Sequence, residues 1–225
     1  MARNLKRIAN MPSIRRLPLY LAELERLRVA GERWASTTRL AAERDIDPTQ
    51  VRKDLALTGV VGQRKLGYPV EEAIRSIEEF LGWHRDREAF LVGAGHLGTA
   101  LLGFQPRYRP GIRIVAAYDS DPARHGAELH GRPVWPLEDL VADARRLGVR
   151  VGVITTPDAA AQTVTDRLVA GGILAIWNFT SAALNVPDGV VVEYAGLRAS
   201  LAMLGSRLQE REAADAQAAT EEVSS

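Results

Sequence analysis

The chain contains no cysteine, which excludes disulfides, thiol switches and every metal site built on thiolate. No apolar run approaches the roughly 20 residues that a membrane-crossing helix needs. The basic N-terminus lacks the apolar core and small-residue cleavage pattern of a secretory signal, so a cytoplasmic protein without a membrane partner is expected. Histidine is sparse as well. His84, His96, His125 and His130 are scattered without ligand spacing, and no metal site is expected. What remains is 225 residues, 46 % apolar and 25 % charged, the composition of an ordinary globular protein with room for two modest domains.

Charge is divided unevenly along the chain. Residues 1–65 carry 14 Lys and Arg against 7 Asp and Glu, and the remainder carries 15 against 21, so a segment of +7 precedes one of −6. A basic first third favours phosphate backbones through counterion release, although a solvated basic face is also common.

That first third reads as three helices and a short hairpin. Leu17, Tyr20, Leu21, Leu24 and Leu27 recur at helical spacing, and Gly31 ends the run. Ser36 suits the cap of a second helix with Leu40 and Ala41 on its inner face. In Asp47-Pro48-Thr49-Gln50, Asp47 fits the N-cap, Pro48 the first helical position and Gln50 the reciprocal capping position. Val51 and Leu55 then face inward, and Thr49, Gln50, Arg52 and Lys53 outward. A strand at Val60-Val61 and a glycine-flanked turn over Gly62–Tyr68 complete a winged helix-turn-helix pattern. Donors at the start of a third helix suit the major groove, and Arg64 and Lys65 at a loop tip suit a phosphate backbone or minor groove. A three-helix domain with merely exposed charges, or a winged helix used for protein contacts, is the alternative.

From Ala89 short apolar strands, at 89–92, 112–118, 149–154, 173–177 and 190–194, alternate with helices from Leu97, over 136–147 and over 157–170. This is an α/β pattern with a parallel sheet. Phe90-Leu91-Val92 runs directly into Gly93-Ala94-Gly95-His96-Leu97-Gly98, a dinucleotide fingerprint in its required strand-to-helix setting. Gly93 allows the tight turn, Gly95 the approach of a pyrophosphate and Gly98 close helix packing. Asp119, 21 positions beyond Gly98, suits the adenosine ribose hydroxyls and would repel a 2′-phosphate, which favours NAD(H). Thr156, Pro157 and Asn178 fall where the nicotinamide side is expected. These segments offer no His, Lys or Tyr as an acid or base. Sensing a nucleotide therefore fits better than turning it over, and no catalytic residue is assigned. Leu197, Leu201, Leu204 and Leu208 form a single apolar stripe that needs a partner surface.

Taken together, these motifs resemble the Rex family of redox-sensing transcriptional repressors over about residues 11–210. The carriers are Arg15-Arg16-Leu17-Pro18-Leu19-Tyr20, Thr49 through Leu55, Gly93 through Gly98, Tyr118 through Pro122, Thr156-Pro157, Ala170 through Thr180 and Leu184-Asn185-Val186-Pro187. The resemblance implies a homodimer with a swapped last helix, bound to palindromic operator DNA near genes of fermentative or respiratory metabolism. NADH would release it, and NAD⁺ would permit binding. It assigns Arg16, Arg52, Lys53 and Arg64 to DNA, with Arg15, Thr49, Gln50 and Lys65 beside them. Gly93, Ala94, Gly95, His96, Leu97, Gly98 and Asp119 are assigned to the cofactor, with Thr156, Pro157 and Asn178. The expected domains are 1–80 (winged helix), 81–88 (connector), 89–194 (Rossmann-type), 195–210 (dimerisation helix) and 211–225 (disordered tail).

The sequence also departs from the family pattern. Phe104 and Gly196 stand where a tyrosine and an aspartate take part in the NADH-dependent rearrangement, and that aspartate can also pair with Arg16. His96 replaces a common Asn, Lys65 a common Gly, and Leu57-Thr58 a tyrosine–phenylalanine pair. The expectation is that NADH binding survives while its coupling to DNA release is weakened or rewired. The alternatives are a small NAD-dependent oxidoreductase with a regulatory N-terminal domain, or a DNA-binding relative with weakened redox response.

Overall fold

The structure is a computed structural model, which describes residues 11–42, 46–103 and 111–223. Phe104 lies outside them. Contacts divide the described residues into two units, one reaching Asp86 and including Gly111, the other drawn from Arg87–Gln105 and Ile112–Ser225.

The first unit begins with α1 (Met11–Val29). Its expected stripe is fully inward: Leu17, Tyr20, Leu21, Leu24 and Leu27 are all at most 2 % exposed, each contributing about 1.5–3 kcal/mol by leaving water. Then come β1 (Trp34–Ala35), α2 (Thr37–Ala42), α3 (Pro48–Ala56), β2 (Tyr68–Pro69) and α4 (Val70–Leu81). Ser36 caps α2 by accepting from the Arg39 amide at 3.1 Å. Asp47 caps α3 by accepting from the Thr49 amide at 2.6 Å. Val51 and Leu55 of α3 pack with α1 and with Ala73, Ile74 and Ile77 of α4 in one core.

The hairpin differs from expectation. Val60 is buried, Val61 is exposed, and no strand forms there. Instead β1 pairs antiparallel with β2, and the projecting turn closes between Gln63 and Gly67 through reciprocal backbone bonds of 2.6 and 3.0 Å. Gly67 is required there, since a Cβ would sit 2.2 Å from the Ala35 carbonyl oxygen.

The second unit is a seven-stranded sheet ordered β5-β6-β4-β3-β7-β8-β9, built from β3 (Arg87–Val92), β4 (Ile112–Asp119), β5 (Glu128–Leu129), β6 (Arg132–Pro136), β7 (Val151–Ile154), β8 (Ala175–Asn178) and β9 (Val191–Tyr194). All pairings are parallel except β5 with β6. Helices α5 (His96–Gly103), α6 (Leu140–Leu147) and α7 (Asp158–Ala170) connect them. One core, with Phe90, Tyr118, Ile154 and Ile176, takes in α6 and α7, and the other, with Leu91, Ala117, Val134 and Val153, takes in α5. The sequence reading misses β6, whose Pro133 and Pro136 suppress the strand signal, although Val134 between them is wholly buried. It also misses the β5–β6 hairpin, closed by His130 (φ 48°) and Gly131 (φ 73°), the two left-handed residues of a type I′ turn.

The last helix, α8 (Leu197–Val223), runs through the stretch expected to be disordered. Residues 211–223 are rich in Ala and Glu, strong helix formers, and Arg211 pairs with Asp215 one turn on at 3.1 Å. Leu201, Leu204 and Leu208 are 56–68 % exposed. Among the described residues no helix is long and apolar enough to cross a membrane, and no group of three or more His, Asp or Glu is arranged for a metal.

Candidate nucleotide and nucleic-acid sites

In the second unit, the parallel strands carry their C-terminal ends to one edge, where an open α/β sheet binds ligands. Gly93 leaves β3 at φ 103°, and a Cβ there would lie 2.9 Å from the Thr155 carbonyl. At Gly98 a Cβ would meet the Gly93 carbonyl oxygen at 2.1 Å, so only glycine lets α5 start this close to the strand. Around Gly95 there is nothing within 4 Å of such an atom. The first and third glycines are thus fixed by packing, and the middle one opens onto free space. His96 and Leu97 are exposed in the first turn of α5, and Ala94 is buried.

Asp119 ends β4 beside this turn. Its Oδ2 accepts from the Ala94 amide at 2.7 Å, and its Oδ1 from the Asp121 amide at 2.9 Å. A carboxylate has about four acceptor sites, so capacity for ribose hydroxyls remains. Three further residues hold the turn, Thr155 from the segment expected at the nicotinamide side, and Arg124 and His125, to which no role was assigned. Thr155 Oγ1 donates to the Gly93 carbonyl at 2.7 Å, tying the end of β7 to the glycine turn. The Arg124 guanidinium donates to the Ala94 carbonyl and pairs with Asp121 at 3.3 Å. The His125 ring contacts the Asp119 carbonyl oxygen at 2.9 Å. The signal for the last two lay in the Asp-Pro turn after β4, where Asp121 caps a short 3₁₀ helix.

Thr156 and Pro157 sit where β7 turns into α7. The Thr156 hydroxyl is buried and has no hydrogen-bond partner among the described residues. A buried unmade bond costs about 1–3 kcal/mol and marks a place for a ligand atom. With the open space at Gly95 and the acceptor at Asp119, the residues present fit a dinucleotide. Asn178 does not join them through its side chain. It is wholly buried, its Nδ2 donates to the Ala182 carbonyl at 3.2 Å and its Oδ1 accepts from the Thr180 amide at 2.9 Å. Both bonds shape the 178–182 loop. Asp158 is likewise engaged, accepting from the Ser181 amide at 3.0 Å.

In the first unit, Arg15, Thr49, Arg52, Lys53, Arg64 and Lys65 are exposed. Lys65 holds φ 69° at the tip of the turn, a conformation that suits glycine better than a side chain. Two residues behave differently from expectation. Arg16 donates through Nε and Nη2 to Asp54 at 2.6 and 2.9 Å. Gln50 does not reach back to cap α3, but donates from Nε2 to Asp54 Oδ1 at 2.7 Å. The reason is Asp54 itself. It is fully buried, and Tyr20 also donates to it at 2.7 Å. Burial pushes its pKa up, but the bonds from Arg16, Tyr20, Ser13 and Gln50 outweigh this and hold it at about 2. Burial pushes the Tyr20 phenol up, as does its bond to Asp54, and the bond to Asp54 raises Arg16. A carboxylate on the inner face of α3, facing an Arg–Tyr pair four apart on α1, was the available signal.

A basic winged-helix unit joined to a dinucleotide-shaped Rossmann-type unit is the build of a ligand-responsive transcription regulator. Residues 8–56 match a family model described as "Putative DNA-binding protein N-terminus", and residues 84–182 match the CoA binding domain model. The chain is 42 % identical to the redox-sensing transcriptional repressor Rex of Treponema denticola, over 89 % of this chain and 95 % of that one. It is 41 % identical to Rex of Bacteroides fragilis, over 88 % and 90 %. Among solved structures it is similar to RSP, a Rex-family repressor. The match to RSP in complex with β-NAD⁺ and operator DNA has a TM-score of 0.82 at 33 % identity, covering 91 % of this chain and 94 % of that one. For RSP with β-NADH the values are 0.80 and 31 %, covering 91 % and 96 %. The chain belongs to the Rex family of redox-sensing transcriptional repressors.

Proposed function

We propose that this protein is a cytoplasmic, dimeric repressor that binds palindromic operator DNA and is released from it by NADH, with NAD⁺ permitting binding. The observation that carries the reading is the nucleotide edge of the second unit: an open Gly95, the Asp119 acceptor and the unpartnered Thr156 hydroxyl around one turn. A carboxylate at the ribose end disfavours a phosphorylated ribose, which favours NAD(H) over NADP(H) and over coenzyme A, despite the name of the matched domain model. Gly93, Ala94, Gly95, His96, Leu97 and Gly98 would cradle the pyrophosphate at the start of α5, Asp119 the adenosine ribose, and Thr156 and Pro157 the far side. Arg15, Thr49, Arg52, Lys53, Arg64 and Lys65 supply donors to DNA.

Among the described residues, Thr155, Thr156, Pro157 and Asn178 at the expected nicotinamide side include no His, Lys or Tyr, and the cofactor acts as a ligand. It shifts the protein only by its difference in affinity for two arrangements. The exposed leucines of α8 supply the subunit contact. Gly196 offers no carboxylate and Phe104 no hydroxyl, so coupling between cofactor and DNA is weakened or rewired relative to the family pattern.

The test measures binding to a palindromic duplex, selected from a random library, across a titrated NADH:NAD⁺ ratio at fixed salt. Binding should fall as the NADH fraction rises. Absence of any bound duplex at every ratio refutes the reading.

A further inference from the structure

The Ala94 carbonyl, between the first two glycines of the nucleotide turn, accepts from two side chains. The Arg124 guanidinium donates to it through Nη1, and the Thr99 hydroxyl donates to it at 3.3 Å. The peptide that follows is trans and planar, so the Gly95 N–H points the opposite way from this carbonyl. Its direction is therefore set by Arg124 and Thr99. Among the described residues that N–H has no hydrogen-bond partner, and nothing lies within 4 Å of a Cβ built on the same residue. Arg124 is itself fixed. It ends the 3₁₀ helix Pro122–Arg124, its amide donates to the Asp121 carbonyl at 3.0 Å, and its Nε donates to Asp121 Oδ2 at 3.3 Å. Asp119 Oδ2 lies 3.9 Å from the same Nε, so two carboxylates already balance the charge of the guanidinium.

We propose that Arg124 is a positioning residue for the pyrophosphate, which aims the Gly95 N–H at the ligand through the Ala94 carbonyl without touching the ligand itself. This rests on the reading of the turn as a dinucleotide site. A donor oriented before the ligand arrives costs nothing to order on binding. The contact also strengthens that donor. A cation on the carbonyl oxygen draws electron density through the peptide, and hydrogen bonds in a chain polarise one another. Asp119 holds the other side of the same residue, accepting from the Ala94 amide at 2.7 Å. The segment 119–124 thus clasps Ala94 by both its N–H and its C=O, and builds the ribose end and the pyrophosphate end of the site together.

The experiment titrates the full-length protein with NADH, read by its fluorescence, and then displaces the NADH with ADP or with adenosine. The two competitors share base and ribose, and only ADP carries the pyrophosphate. Arg124→Ala is expected to weaken NADH and ADP about tenfold, the worth of one charge-assisted hydrogen bond, and to leave adenosine within about twofold. Thr99→Val removes the second donor without changing charge, and should weaken ADP about threefold, the worth of a neutral bond, again sparing adenosine. The ratio of wild type to Arg124→Ala for ADP should hold from about 0.05 to 0.5 M salt, whereas a direct ion pair with phosphate would be screened. A wild type that binds neither NADH nor ADP overturns the dinucleotide reading together with this assignment. If the wild type binds both, three results overturn the assignment alone: equal ADP binding by Arg124→Ala, a loss of adenosine as large as that of ADP, or a ratio that collapses with salt. Should Arg124→Ala fail to fold, Thr99→Val still decides, and ADP binding that it leaves unchanged overturns the assignment.

Discussion

Replacing Asp54 with asparagine removes the charge at the centre of the first unit while keeping its size. In the folded protein the carboxyl pKa is held at about 2, below its ordinary 3.8. A gap of nearly two units corresponds to about 2–3 kcal/mol of stability at neutral pH. Arg16 retains a side-chain exposure of 24 % and can turn partly to water, which moderates the loss. For a unit of this size it corresponds to a fall in melting temperature of roughly 10–15 °C. Circular dichroism melts of the full chain, with hydrogen exchange to assign the loss to α1 and α3, would measure it. The pH dependence has a definite sign. Because folding depresses this pKa, the stabilisation is whole above about pH 4 and is lost as the pH falls toward 2. The gap between wild type and variant should narrow across that window. A difference below about 0.5 kcal/mol at pH 7, or one that does not narrow on acidification, refutes the argument.

The three glycines of the nucleotide turn should separate by role. Gly95→Ala should leave the melting temperature nearly unchanged but weaken NADH binding at least tenfold in a fluorescence titration, since its Cβ enters open space. Gly98→Ala should destabilise the unit by 1–3 kcal/mol as its Cβ meets the Gly93 carbonyl oxygen, with loss of the folded unit visible by denaturant titration. At the start of α8, Gly196 holds φ 62°, so Gly196→Asp alone should cost about 1 kcal/mol of stability. Combined with Phe104→Tyr, it should sharpen release of operator DNA by NADH. Equal release in the double variant and the wild type counts against rewired coupling.

Much of this was legible in the sequence because it rests on local rules. The Asp47 cap, the Pro48 start, the inward stripe of α1 and the strand-to-helix glycine turn each depend on a few neighbouring residues. The parts that were not legible depend on residues far apart in the chain. Gln50 satisfies the capping pattern by position, yet Asp54, made acceptor-rich by burial against Arg16 and Tyr20, outcompetes the N-cap amide. Asn178 lies in the expected place but is wholly buried, where polar groups must find partners, and it holds its own loop. Strand β6 was hidden because prolines flank its one buried valine, and the burial of Val134 comes from β4 beside it. The helix continues past residue 210, where disorder was expected, because composition alone does not separate a helix from a disordered tail.

Those prolines have a bearing on how copies of the protein meet. Pro133 and Pro136 remove amide donors near the β5–β6 end of the sheet, and β5 beyond them is two residues long. A strand from another molecule finds little to pair with there, so runaway edge-to-edge stacking into fibres is discouraged from that side. The opposite end has no such seal: β9 is four residues long, with Val191 and Tyr194 exposed. One closed end and one open end give the sheet a polarity for edge-to-edge association.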